Sequence, residues 1–467
     1  MATAPNSINY SNQLPLGIEA KSQRRLFFPT TGDSYSGDGS SIIRISLNYD
    51  GMLDTSLSYL KFDFKNTDAN ADDGIIRDLG QPEISRLVVS SGGVVLEDIQ
   101  NYNQLVGSIL LPAQANQGVV NHEISNHNAF AGFIKGVNAT ADDKATTAIQ
   151  PVNGATPTGL TYETYSKVNR QTGNNANVSI NGGATISVCY KLISGLLDND
   201  KYLPLVLMNN GLDIEIHLET PNRIGSNDDA SDITYQVSNV RYVAHLVDLQ
   251  RDFYDMLRMT QQQSGGVIQI AGQTYRHFSN SIPAKTLGEQ SYNVPVRARS
   301  IKSIFFCGAI QTATQRGFDL STTSNMALES YQIQIGATKY PPTAIKCNAN
   351  TNNSEAYLEL MKSFGKLGSN IHDNLLGGVN GWSVQNPSSA KQGSQMSFAP
   401  YGIDLETFRA EIENGIDTSS RALPMTLLLT FTGAGDGTST DALTLHTYAL
   451  IDSLFFVNMD GSVSVSA

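Results

Sequence analysis

The chain has 467 residues, 40% of them hydrophobic and 16% charged, with 31 basic against 43 acidic side chains and a formal charge of −12. That balance excludes a disordered chain and a basic nucleic-acid coat, because there is apolar material for a core and the net charge repels phosphate. The length allows two or three domains, or two larger β domains sharing an interface.

The opening stretch, MATAPNSINYSNQLPLGIEA, has neither the basic start nor the apolar core of a signal peptide. Residues 1–25 read as an N-terminal arm, with the basic cluster KSQRR at Lys21–Arg25 solvated ahead of the first strand. Period-two alternation then dominates. In SIIRISLNY, Ile43, Ile45 and Leu47 share one face, and in LSYLKFDFKN Leu60, Phe62 and Phe64 oppose Lys61, Asp63 and Lys65. A hairpin is expected around Gly92-Gly93, leading through Glu97 and Asp98 into a short helix near Asn101–Leu110, where acids favour the helix dipole. A polar loop follows from Leu111 to about Leu160, then strands at VSINGGATISVCYKLI, YLPLVLM and GLDIEIHLET. The spacing in DFYDMLRMTQQQ predicts a helix with Phe253, Met256 and Leu257 on one side.

The second half repeats the order loosely. VPVRARSIKSIFFCGAI and the hairpin ESYQIQIGATKYP lead to a helix at SEAYLELMKSF, a second polar loop over Gly365–Gln395, and a helix at DLETFRAEIEN capped by Asp404. The strands ALPMTLLLTFTG and LTLHTYALIDSLFFVN close the chain. Leu203-Pro204 and Leu423-Pro424 each stand at the head of an apolar strand, where proline is tolerated. This gives a first β-sandwich over residues 26–247, a linker helix over 248–265, and a second sandwich with a C-terminal tail over 266–467. Doubled antiparallel sandwiches with large end loops are most economically jelly rolls, although other Greek-key sandwiches fit the same pattern.

No motif carries chemistry. HEISNH places His122 and His127 five apart, off the shared helix face that a zinc motif requires. DANADDG puts Asp68, Asn70 and Asp72 in alternate positions, but Asp73 stands where a calcium loop needs glycine. GAGDG at Gly433–Gly437 lies between strands, with no helix to cradle a phosphate. GIDTSSR with His446 forms a nucleophile set only by ignoring order and geometry. Glu97 and Asp98 are adjacent, so on a strand they point to opposite faces and cannot flank one bond. Cys189, Cys307 and Cys347 are widely spaced and odd in number, which reads as reduced thiols. No catalytic, cofactor-binding or metal residue is assigned, no cofactor is implied, and no membrane-spanning run occurs. A structural assembly protein and a sugar-binding or adhesive β-sandwich remain; the single tryptophan, Trp382, weighs against the second.

LFFPTTGDSYSGDGSSIIRISLNYDGMLDTSLSYLKFDFKN at Leu26–Asn66 resembles the opening of double jelly-roll major capsid proteins of the dsDNA virus lineage, most closely those of polinton-like viruses and virophages. SRLVVSSGGVVLEDIQNYNQL, VPVRARSIKSIFFCGAI, GIDTSSRALPMTLLLTF and YALIDSLFFVNMDGSVSVS are similar to that family's blocks, in the same order. The resemblance implies an all-β fold of two tandem eight-stranded antiparallel jelly rolls, without catalysis. It further implies pseudo-hexagonal homotrimers tiling an icosahedral shell around dsDNA, with a vertex penton protein and minor or cement proteins as partners. The protein is then expected in the virion capsid, after synthesis as a soluble protein inside the infected cell. The long loops at Leu111–Leu160 and Gly365–Gln395 are expected to face the exterior or neighbouring subunits.

Overall fold

A computed structural model describes residues 19–68, 76–77, 81–114, 182–226, 234–310, 326, 328–347, 354–365, 400–408, 413–420, 423–431 and 442–466. The first half contributes β1 (Ala20–Phe27), β2 (Ile42–Leu47), β3 (Met52–Asn66), β4 (Ile84–Ser91), β5 (Val94–Gln100), β6 (Thr185–Tyr190), β7 (Leu212–Leu218) and β8 (Tyr235–Leu249). The second contributes β9 (Val267–Ile282), β10 (Gly288–Asn293), β11 (Ile301–Ile310), β12 (Leu328–Ile335), β13 (Thr338–Lys346), β14 (Tyr401–Asp404), β15 (Met425–Phe431) and β16 (Leu443–Asn458). A last strand, β17 (Val463–Ser466), folds back on β16.

The sheets pair identically in both halves. The first half forms the sheets β1-β8-β3-β6 and β2-β7-β4-β5; the second forms β9-β16-β11-β14 and β10-β15-β12-β13. Every pairing is antiparallel, and the second set is the first with each strand advanced by one full roll. This is the jelly-roll order, used twice. Among the described residues three short strands, Ser34–Tyr35, Ile76–Arg77 and Gly225–Ser226, lie outside this frame.

The alternation in the sequence explains the faces. Ile43, Ile45 and Leu47, then Leu60, Phe62 and Phe64, then Leu212, Ile214, Ile216 and Leu218 are all buried. Within one sheet of the first roll, Phe64 of β3 stacks on Tyr235 of the neighbouring β8 at 5.2 Å between centroids. In the second roll Phe306, Tyr331 and Tyr401 form a mutual cluster with centroids 5.1–5.4 Å apart. The β4–β5 hairpin turns at Gly92 and Gly93, whose φ angles of 56° and 84° lie where a Cβ is disfavoured. Gly93→Ala meets no atom within 4 Å, so its expected cost is only the backbone's. That cost is about 1 kcal/mol, read as a shift in denaturant midpoint.

Among the described residues three longer helical runs carry connections, beside a short turn at Pro221–Ile224. Helical run α1 comprises Tyr102–Leu105, a π-helical turn at Val106–Leu110, and Leu111–Gln114, so it extends past the expected end at Leu110. Helix α2 (Arg251–Gln263) joins the rolls, and β8 runs on to Leu249 before it. On its predicted apolar side Phe253 and Leu257 are half-buried, whereas Met256 is exposed. Helix α3 (Ser354–Ser363) buries Ala356, Leu360 and Met361, and Phe364 beyond it stacks on Phe305 at 4.5 Å.

Three expectations are corrected. Lys21–Arg25 is not an arm before the first strand but the body of β1, paired in register from Ala20 with Leu249 to Phe27 with Tyr242. Its side chains stay in solvent while the backbone supplies the ladder, which a charge pattern does not reveal. YLPLVLM is no strand: Leu203 makes one bridge to Leu53, and Leu205–Leu207 is a 3₁₀ turn. Leu423-Pro424 does head a strand, β15. DLETFRAEIEN does not start a helix at Asp404, which ends β14 instead and accepts a hydrogen bond from the Glu406 amide at 3.0 Å. Tyr401, Ile403 and Leu405 are buried at period two, so pairing with β11 overrides the helical spacing. Apart from Leu111–Gln114 and Gly365, the two long loops lie outside the described residues.

Candidate functional site

The described residues bring the sequence-flagged groups to different places. Asp98 points outward from β5 and takes a two-pronged hydrogen bond from Arg86 on β4, at 2.7 and 2.8 Å. Glu97 points inward and is 3% exposed. The two carboxylates therefore diverge as alternation requires, but neither serves the dipole of α1. Asp417 accepts from the Ser419 amide at 2.8 Å, whereas the His446 ring meets His277, so no Ser/Asp/His set forms. All three cysteines are free, and burial pushes the Cys307 thiol up to about 12. HEISNH, the DANADDG turn beyond Asp68, GAGDG and Trp382 lie outside the described residues. Among the described residues no group of three His, Cys, Asp or Glu is placed to hold a metal ion, and no helix is long and apolar enough to cross a membrane.

What the fold does build is a seam between the two rolls. Glu97 anchors its centre: its carboxylate accepts hydrogen bonds from the Ser194 hydroxyl, from the Gly195 amide at 2.8 Å and from the Leu196 amide at 3.2 Å. Burial raises its pKa, and these donors pull it back down. The loop so held lies directly on β9. A Cβ on Gly195 would sit 2.7 Å from the Gln273 carbonyl oxygen, and one on Gly272 would sit 2.4 Å from the Gly195 carbonyl oxygen. Backbone thus touches backbone across the seam, and only glycine permits it. Asn199 extends the contact by donating to the Ala271 carbonyl at 2.8 Å.

The start of α1 forms a second seam contact. Asn101 has φ 46°, in the left-handed region. Its carbonyl accepts from the Tyr448 hydroxyl at 2.9 Å, and its side-chain amide meets His277 Nδ1 at 3.2 Å. From within the first roll, Tyr102 donates to Gln81 at 2.8 Å and Asn103 donates to Glu219 at 2.8 Å, fixing the helix in place. At the opposite end, the Asn209 amide donates to the Gly461 carbonyl at 3.0 Å. A cleft of about 690 Å³ opens along the seam, lined by Gln81, Leu110, Asp198, Tyr275 and Asp452 among others. Sequence reasoning missed all of these seam residues except Glu97. The available signal was the pairing of isolated glycines, Gly195 and Gly272, with apolar strand-like runs.

No family model matches the chain, and no curated protein matches it in sequence. Solved structures do match its fold. A chain of the cryo-EM structure of the Sputnik virophage aligns with TM-score 0.56 and 11% identity, covering 100% of this chain and 92% of that one. The Faustovirus major capsid protein aligns with TM-score 0.56 and 8% identity, covering 96% and 92%. PBCV-1 VP54, as fitted into a reconstruction of the virophage Sputnik, aligns with TM-score 0.54 and 11% identity, covering 98% and 99%. With both strand orders and near end-to-end alignment in hand, the chain is a double jelly roll, the fold it shares with these viral capsid chains.

Proposed function

We propose that this chain is a major capsid protein that assembles as pseudo-hexagonal homotrimers into an icosahedral shell enclosing dsDNA. The observation that carries the reading is the exact repetition of one strand order in two rolls joined by a tight seam. Three such chains around an axis present six like blocks, which is the geometry of a hexagonal tile built from a trimer. The domains of this reading are the two rolls, divided at α2. The net charge of −12 suits a wall that must enclose nucleic acid without adhering to it. A vertex penton protein and minor or cement proteins complete the shell, and the virion capsid is the protein's location.

Native mass measurement with electron microscopy of the purified protein tests this. The expected result is a trimer with a six-sided outline that forms curved sheets or shells as concentration rises. A protein that stays monomeric under every assembly condition would sink the proposal.

A further inference from the structure

Two histidines from neighbouring strands of the second roll stand in line with the asparagine that opens α1 in the first. His277 on β9 and His446 on β16 face each other with Nε2 and Nδ1 2.9 Å apart. The Asn101 amide nitrogen lies 3.2 Å from His277 Nδ1. The Tyr448 ring covers His277 with centroids 4.8 Å apart. With both rings neutral the hydrogens run one way: Asn101 Nδ2 donates to His277 Nδ1, and His277 Nε2 donates to His446 Nδ1.

We propose that the line Asn101–His277–His446 is an acid-sensitive latch between the two rolls, because the closed line has room for one added proton, whereas two set donor against donor and charge against charge where α1 rests on β9. Asn101 has little room to retreat, since its backbone is left-handed and its carbonyl is held by Tyr448. A single proton is taken up by turning its side-chain amide over and moving the His277 hydrogen to Nδ1. The second has no such outlet, since it leaves His277 Nε2–H against His446 Nδ1–H.

The surroundings favour the neutral pair. Arg276, next to His277, donates to the Arg297 carbonyl at 2.9 Å. Cys307, in register with His446, is buried, and Arg223 is ion-paired to Glu219 at 3.2 Å. The carboxylates on this side, Glu97 and Asp98, are taken up by Ser194–Leu196 and by Arg86. Burial lowers His277 to about 4, and burial together with His277 and Arg223 lowers His446 to about 3. Both lie below the ordinary histidine value, so an opened or unfolded chain takes up protons first. The latch is therefore at full strength above about pH 6.5 and weakens as pH falls towards about 4. This holds for the chain itself, whether or not it builds a shell.

The test follows melting temperature and amide hydrogen exchange of the full chain, corrected for intrinsic rate, from about pH 7 down to about pH 5. Exchange is expected to rise first at residues 101–105 and 276–278, with a falling melting temperature. The double variant His277→Gln/His446→Gln is expected to remove about half or more of that fall. An undiminished fall in the folded double variant overturns the latch. If the variant does not fold, wild-type exchange decides: a rise that begins elsewhere, or uniformly, overturns it equally.

Discussion

Gly195→Val and Gly272→Val are each expected to force the two rolls apart and to lower the unfolding midpoint more than any surface change. The Cβ at Gly195 would lie 2.7 Å from the Gln273 carbonyl oxygen and 2.9 Å from its amide nitrogen. The Cβ at Gly272 would lie 2.4 Å from the Gly195 carbonyl oxygen and 3.0 Å from the Phe455 ring. The obstructing atoms at Gly195 are backbone, so no rotamer change relieves the clash. Relief requires moving a whole loop off β9, which strips the Asn199 hydrogen bond and exposes seam surface. Overpacking of this kind costs on the order of 3 kcal/mol or more. Denaturant unfolding measures the loss, and faster proteolysis within α2 reports the separation. A valine at either position that leaves both unchanged would show that the rolls do not bear on each other there. Gly93→Ala is the matched control, since nothing stands in its way.

Glu97→Ala should rank next. The carboxylate has three donors aimed at it, and each is buried or part of a buried loop. Removing the acceptor leaves the Ser194 hydroxyl hydrogen and the Gly195 amide without partners, at about 1–3 kcal/mol for each group that water cannot reach, while the Leu196 amide keeps Ser194 Oγ at 3.2 Å. The expected total is about 3–5 kcal/mol, in the range of breaking a buried charged contact. Glu97→Gln keeps the shape and should still destabilise, because one carboxylate oxygen becomes an NH₂ facing donors. Asp98→Ala, one residue on, is expected to cost about 1 kcal/mol, because its pair with Arg86 is only half-buried and water reaches both partners. Equal effects at the two positions, measured by denaturant midpoint, would contradict the burial difference. The contrast also separates the neighbours that the sequence treats alike.

Much of the framework was legible because the information is local. Alternation in Leu60–Phe64 and Leu212–Leu218 marks strands, since side chains of a strand alternate between core and solvent. The run from Leu443 to Asn458 reads as one strand for the same reason, and it is one. Misreadings arose where partners are distant. Lys21–Arg25 looks solvated and is, yet its backbone is committed to β8. Asp404–Asn414 has helical spacing, but β11 claims its first residues.

The seam belongs to the same class of distant information. Glu97 and Gly195 are 98 positions apart, His277 and His446 are 169 apart, and Asn101 and His277 are 176 apart. By itself the sequence determined two β-sandwiches in tandem with helical connections, because periodicity and turn residues act over a few neighbours. Only the tertiary structure decided that Glu97 is an anchor, that Gly195 and Gly272 are a point of backbone contact, and that two histidines share a hydrogen bond. Those roles depend on which strands meet across the seam, and pairing between remote strands leaves no local periodic mark.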